Sequence, residues 1–159
     1  MIRLATKSVD DTRALAAEIA ALAAPGDLLV LAGDLGTGKT AFAQGFAQGL
    51  GVDEPVTSPA FVLVRTYDGR LPFVHLDVYR LDTMQELVDL GIAELLDEGA
   101  VTLVEWGDVV APALPADFLE VRLEVTDAPD DRLLSIRSVG PAWPPRADAL
   151  KRVLAPWTV

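Results

Sequence analysis

The first half of the chain alternates between helical and extended patterns of apolar residues. Ser8 and Asp11 have the spacing of a capping box, and the apolar positions after them predict a helix over about residues 9–24. The apolar run 28–32 predicts a short buried strand, and residues 39–50 predict a second helix. A helix, a strand and a helix in this order are typical of an α/β fold.

The middle of the chain carries strand patterns that are separated by turn residues. Residues 61–67 and 71–79 predict the two strands of a hairpin with its turn at 68–70. A short helical region begins near Asp82, and residues 101–104 then predict another buried strand.

The last part of the chain predicts a second hairpin and a closing helix. Residues 118–125 alternate strictly between apolar and polar side chains and pair naturally with residues 133–139. A last helix covers about residues 146–154. The side chains expected to point inward from the first of these strands are Leu119, Val121, Leu123 and Val125.

The composition indicates a globular protein without a membrane span. The chain has 159 residues, of which 51% are hydrophobic and 23% are charged. Residues 40–52 form the longest run without Asp, Glu, Lys or Arg, and a spanning helix needs about 20 apolar residues. Acidic residues early in the chain do not fit a signal peptide, so we expect a cytoplasmic protein. The absence of cysteine excludes disulfides, cysteine-based zinc sites and thiol catalysis.

The charge argues against a protein that binds nucleic acid on its own. Asp and Glu number 24 against 13 Lys and Arg, which gives a net charge of −11. Binding to phosphates requires clustered Lys and Arg. Contact with nucleic acid as part of a larger assembly stays open.

Residues 33–40 read GDLGTGKT and fit the phosphate-binding motif G-x-x-x-x-G-K-[ST] at every fixed position. The glycines allow a tight turn that directs backbone N–H groups at phosphate oxygens, and the next helix offers its N-terminus. Lys39 adds a positive charge, and Thr40 offers a hydroxyl to Mg²⁺. The candidate nucleotide-binding residues are Gly33, Asp34, Leu35, Gly36, Thr37, Gly38, Lys39 and Thr40.

A strand before this motif and a helix after it predict the fold. We expect a single P-loop NTPase-like domain over residues 1–159, with a mixed, mostly parallel central sheet, antiparallel hairpins and flanking helices. Phosphate binding does not explain the aspartate at position 34, because an anionic side chain in an anion-binding loop repels phosphate. It either points outward or lies near the metal.

A P-loop also needs an acidic residue at the end of a neighbouring strand, to hold Mg²⁺ or its water. Glu105 ends the apolar run 101–104, and Asp77 lies within the stretch HLDVYR, residues 75–80. In a strand, His75, Asp77 and Tyr79 would share one face. Val74, Leu76 and Val78, which alternate with them, would face the other way. The sequence leaves open which acid is the main ligand of Mg²⁺.

The nucleotide is expected to be ATP. The chain has no asparagine, so the Asn-Lys-x-Asp element of guanine-specific folds is absent, and no aspartate precedes a glycine by three positions. Its ten arginines are scattered and do not indicate the arginine-rich lid of a small-molecule kinase. A slow ATPase that acts as a switch on a partner fits best. A small-molecule kinase and a non-enzymatic nucleotide-binding adaptor are the alternatives.

Four motifs in this order resemble the TsaE (YjeE) family: GDLGTGKT, SPAF at residues 58–61, HLDVYR and LVEW at residues 103–106. The resemblance covers most of the chain. It implies a small ATPase that works with TsaB and TsaD to make N6-threonylcarbamoyladenosine in tRNA, so that tRNA is contacted through that complex.

The same resemblance implies roles for single residues. Thr40 and Glu105 would hold Mg²⁺, Asp77 would act near the γ-phosphate as a catalytic residue together with Glu105, and residues 58–61 would form a switch-like loop. Ala60 departs from the family pattern, which has threonine there, so a hydroxyl is missing from that loop. Trp106 either packs beside the nucleotide or is an ordinary core aromatic.

Overall fold

A seven-stranded sheet forms the centre of the computed structural model, which describes residues 1–59, 64–78 and 88–159. The strands are β1 (Ile2–Thr6), β2 (Leu28–Ala32), β3 (Val64–Asp68), β4 (Pro72–Asp77), β5 (Val101–Glu105), β6 (Phe118–Val125) and β7 (Arg132–Val139). Their order across the sheet is β1-β7-β6-β2-β5-β4-β3.

Parallel pairing holds the middle of this sheet together, and antiparallel pairing forms its two sides. Strands β6, β2, β5 and β4 run parallel to one another. On one side β7 lies antiparallel to both β6 and β1, and on the other β3 lies antiparallel to β4. The predicted α/β architecture, with a mostly parallel mixed sheet and antiparallel hairpins, is confirmed.

Helices flank the sheet in the described part of the chain. They are α1 (Val9–Ala20), α2 (Lys39–Gly49), α3 (Ile92–Asp97), α4 (Gly107–Val110) and α5 (Ala147–Val153), with short 3-10 turns at Ala111–Ala113, Pro144–Arg146 and Ala155–Trp157. The predicted start of a helix near Asp82 lies outside the described residues. None of the helices described is long and apolar enough to cross a membrane.

Helices α1 and α2 pack closely because small residues lie at their contact. A Cβ atom added to Gly45 would lie 2.2 Å from the carbonyl oxygen of Arg13, and one added to Gly49 would lie 2.6 Å from that of Ala17. Ser8 caps α1 by accepting a 3.0 Å hydrogen bond from the backbone N–H of Asp11, as the sequence predicts. Helices α1 and α2 therefore form one closely packed layer on one face of the sheet.

The two faces of the sheet contribute to two hydrophobic clusters. Leu29 and Leu31 of β2 point into the cluster shared with α1 and α2, whereas Leu28 and Val30 point into the cluster on the opposite face. Every residue of β2 and of β5 is buried. Burial on both faces is the expected environment of central parallel strands.

Four local features differ from the predictions made from the sequence. Strand β1 carries only five residues at the sheet edge and was not predicted, and α1 ends at Ala20 rather than near residue 24. Val125 was expected to point inward but is 60% exposed. Glu120, expected on a polar face, is 7% exposed and pairs with Arg137 of the neighbouring strand. Strict alternation fails here because both faces of β6 are buried along most of its length, whereas its last two residues are exposed.

Candidate nucleotide-binding site

The carboxyl ends of three parallel strands meet at the candidate site. β2 leads directly into residues 33–38, β5 ends at Glu105, and β4 ends at Asp77. In the strand register Asp77 is paired with Glu105, and Glu105 with Leu31 of β2. Ligands of open α/β sheets bind at this edge, so the fold places the phosphate-binding motif and both acidic candidates at the expected position.

The loop of residues 33–38 requires glycine at its turns. Gly33, Gly36 and Gly38 have φ angles of 142°, 81° and 102°, a region that side chains rarely adopt. A Cβ atom on Gly33 would also lie 2.5 Å from the carbonyl oxygen of Leu123. The loop can therefore follow this path only with glycine at its first position.

Hydrogen bonds hold the carbonyl groups of this loop. The Lys39 ammonium donates to the carbonyls of Gly33 and Asp34 at 2.7 and 2.8 Å, and the Thr37 hydroxyl donates to that of Asp34 at 2.9 Å. Helix α2 begins directly after the loop, and its first N–H groups have no intrahelical acceptor. Free N–H groups at a helix start, next to a lysine, form a site for anionic oxygen atoms.

Lys39 is buried among acidic groups. Its residue is 5% exposed, and burial lowers the pKa of its ammonium below the ordinary 10.5. Four carboxylates oppose this lowering, namely Glu105, Asp77, Asp108 and Asp34, in decreasing order of effect. The ammonium also lies 4.0 Å from the ring centre of Trp106. Lys39 therefore places a buried positive charge at the start of α2, next to the glycine loop.

Glu105 is held at both carboxylate oxygens. Its Oε2 atom lies 2.5 Å from Nε2 of His75, and its Oε1 atom accepts a long hydrogen bond of 3.4 Å from the Thr40 hydroxyl. The residue is 3% exposed, and Asp77 beside it is 7% exposed. Glu105 is thus buried against the Thr40 hydroxyl, and Asp77 lies beside Glu105 in the strand register, as a metal site of that kind would need.

His75 lies in the core, on the strand face that the sequence predicts for it. Its side chain is fully buried, and its ring stacks on Phe73 at a centroid distance of 6.2 Å. Nδ1 has no hydrogen-bond partner among the described residues. Within the described part of the chain, the one polar contact of the imidazole is therefore the one with Glu105, which orients that carboxylate.

The chain turns sharply directly after Glu105. Trp106 has a φ angle of 64° and is the one non-glycine residue with positive φ in the described part of the chain. The next residue is Gly107, where an added Cβ would lie 2.8 Å from the side chain of Val30. Such unusual backbone conformations cluster at functional sites, and here the turn brings the indole next to Lys39.

The donor atoms present fit a magnesium ion. Mg²⁺ prefers oxygen ligands and, in nucleotide sites, uses one or two carboxylates together with substrate phosphates. The Thr40 hydroxyl and the Glu105 carboxylate supply such oxygens at one point. Among the described residues no group of three or more His, Cys, Asp or Glu side chains could hold a metal by itself, so the phosphates would have to complete the coordination.

The remaining predicted residues lie around this centre or outside the described chain. Asp34 is exposed, in agreement with the outward of its two predicted orientations, and Leu35 is 78% exposed. Ser58 is exposed as well. Ala60 and Phe61 of the switch-like loop, and Tyr79 and Arg80 of HLDVYR, lie outside the described residues.

Two residues near the loop were missed by the sequence analysis. Asp108 contributes to the field around Lys39, and Arg132 donates hydrogen bonds to the loop from β7. Neither belongs to a recognisable motif. Only the fold brings them to the P-loop, so no sequence signal could have indicated them.

Comparison with known proteins identifies the family. A family model described as "Threonylcarbamoyl adenosine biosynthesis protein TsaE" matches residues 6–133. The tRNA threonylcarbamoyladenosine biosynthesis protein TsaE of Bacillus subtilis is 40% identical over 148 residues, which is 92% of each chain. The protein of the same name from Treponema pallidum is 39% identical over 124 residues, covering 78% of this chain and 92% of its own.

The fold comparison agrees with the sequence comparison. The crystal structure of Bacillus subtilis YdiB matches with a TM-score of 0.78 and 36% identity, covering 98% of this chain and 97% of that one. The matched segment 6–133 contains the P-loop, both acidic candidates and Arg132. The chain belongs to the TsaE family.

Proposed function

We propose that this protein is a magnesium-dependent ATPase that serves the synthesis of N6-threonylcarbamoyladenosine in tRNA. The observation that carries the proposal is the meeting of Lys39, Thr40, Glu105 and Asp77 at the carboxyl edge of the sheet, directly after a glycine loop that ends at a helix N-terminus. This arrangement suits a triphosphate with a divalent cation better than any other class of ligand.

Each group has a separate task in the proposed reaction. The N–H groups of the loop and of the first turn of α2 bind phosphate oxygens, and the Lys39 ammonium neutralises their charge. Thr40 and Glu105 would hold Mg²⁺, which neutralises charge on the phosphate oxygens when it is bound. His75 keeps the Glu105 carboxylate in one orientation. Asp77 orients the attacking water, which takes up the γ-phosphoryl group.

The biological role rests on the family. Its relatives are named for tRNA threonylcarbamoyladenosine biosynthesis, and this chain has a role in the same process. Its partners are TsaB and TsaD, which carry out the transfer to tRNA. The net charge of −11 agrees with this division of labour, because a protein that reaches tRNA through partners needs no basic surface.

The test is ATP hydrolysis in the assembled system. Phosphate release and modified tRNA are measured with the protein alone, with TsaB–TsaD, and with TsaB–TsaD and tRNA. We expect slow release alone, faster release in the full mixture, and loss of modified tRNA with Lys39→Ala. Transfer of the phosphoryl group to an acceptor other than water would indicate a kinase. Full tRNA modification with a Glu105→Gln variant that binds but does not hydrolyse ATP would indicate an adaptor.

A further inference from the structure

Arg132, the first residue of β7, connects the P-loop to the turn between β6 and β7. Its Nε atom donates to the carbonyl of Thr37 at 3.0 Å, and Nη2 makes a longer bond of 3.4 Å to that of Gly36. Its Nη1 atom donates to the carbonyls of Pro129 and Asp131 at 2.7 and 2.8 Å. All three guanidinium nitrogens therefore bind backbone carbonyls, two of them on the P-loop.

The charge of Arg132 is not used in an ion pair within the described residues. The nearest candidate by sequence, Asp131, instead pairs with Lys7 of the neighbouring strand end at 3.1 Å. A guanidinium that binds four carbonyls and no carboxylate serves to orient those carbonyls, because its planar fork of N–H groups fixes the direction of each acceptor.

The peptide group whose orientation Arg132 fixes is the one between Thr37 and Gly38. In a planar trans peptide the C=O and the following N–H point in opposite directions. Arg132 holds the Thr37 carbonyl towards its own guanidinium, so the N–H of Gly38 points away from Arg132. Gly38 has a φ angle of 102° and no side chain to resist rotation. Without the bond from Arg132, this peptide could turn over.

We infer that Arg132 is a positioning residue of the phosphate site, which keeps the Thr37–Gly38 peptide in the orientation that binds an anion. The inference rests on the proposed function, since it assigns a role at the same triphosphate site. It predicts that the geometry of the guanidinium matters and that its positive charge alone does not suffice.

The test compares Arg132→Met and Arg132→Lys with wild type by calorimetric titration with ATP and with inorganic tripolyphosphate. If loss of the bond leaves about a tenth of the molecules with the competent peptide orientation, both ligands bind about tenfold more weakly. We expect this weakening in both variants, because lysine keeps the charge but cannot reach the same set of carbonyls. Arg3→Met, which removes an exposed arginine from β1, is the matched control and should bind as wild type does.

Hydrogen exchange gives a second reading that does not depend on ligand. The backbone amides of residues 33–41 should exchange faster in both Arg132 variants, with an unchanged far-UV circular dichroism spectrum. If Arg132→Met proves unstable, Arg132→Lys carries the same expectation by itself.

Several results would overturn the inference. Wild-type affinity in Arg132→Lys together with weak binding in Arg132→Met would mean that the charge acts alone. Unchanged affinity and exchange in both variants, with Lys39→Ala still abolishing binding, would overturn the role of Arg132 and leave the proposed function intact. If wild type bound neither ATP nor tripolyphosphate, the proposed function would fail as well.

Discussion

Because His75 and Glu105 are in contact, replacing either one alone is expected to lower the free energy of unfolding, and the two effects should not be additive. His75→Leu removes the donor from Glu105 Oε2, whose residue is 3% exposed, and leaves that oxygen without its 2.5 Å partner. A hydrogen bond to a charged group contributes about 1.5–3 kcal/mol. The variant also removes the unpartnered Nδ1 atom, which offsets part of the cost. We therefore expect a loss near the lower end, about 1.5–2 kcal/mol in the free energy of unfolding.

The assay is a double-mutant cycle in urea, followed by circular dichroism. Replacing a buried polar pair by apolar residues is often neutral, whereas removing one partner is costly. The variant with both His75→Leu and Glu105→Leu should therefore be more stable than the sum of the two single losses predicts, by about 1.5–3 kcal/mol. The slope of free energy against urea should stay constant. Additivity within about 0.5 kcal/mol would refute the reasoning.

Three further predictions follow from single contacts. Gly33→Ala should abolish ATP binding in a titration, because its Cβ would lie 2.5 Å from the Leu123 carbonyl, whereas Gly36→Ala, with no neighbour within 4 Å, should weaken binding less. Gly45→Ala should lower the free energy of unfolding by about 3 kcal/mol in urea by forcing α1 and α2 apart; a neutral effect would contradict this packing. Burial lowers the pKa of Lys39, so the ammonium loses its proton below pH 10.5 and ATP affinity should fall as the pH rises towards that value. Over the same range the buried charge disappears, so Lys39 should lower the free energy of unfolding less. In Lys39→Arg, which stays charged, the fall in ATP affinity should be absent.

Much of the geometry of the candidate phosphate site could be predicted because its signal is local. The spacing of GDLGTGKT fixes the loop and the start of α2, and the apolar runs on either side fix β2 and β5. The paired register of Asp77 and Glu105 places both acidic candidates at the same edge of the sheet. Which of them binds Mg²⁺ more strongly stays a prediction.

The remainder depends on tertiary contacts that leave no pattern in the sequence. The bond between His75 and Glu105 depends on the register of β4 against β5, and Arg132 reaches the P-loop only because β7 lies beyond β6 in the sheet. Strand β1 is short and at an edge, so its five residues carry too little periodicity to be recognised.

The central claim is that the protein hydrolyses ATP with Mg²⁺ at this site, and measuring both phosphate release and ATP affinity in one variant tests it most directly. Glu105→Gln removes a carboxylate charge at the site but leaves Lys39 and the N–H groups of the loop in place. We predict that this variant binds ATP within about tenfold of wild type, a difference of about 1.4 kcal/mol. Its magnesium-dependent phosphate release should fall by about a hundredfold or more. Equal release by the variant and wild type would contradict the account.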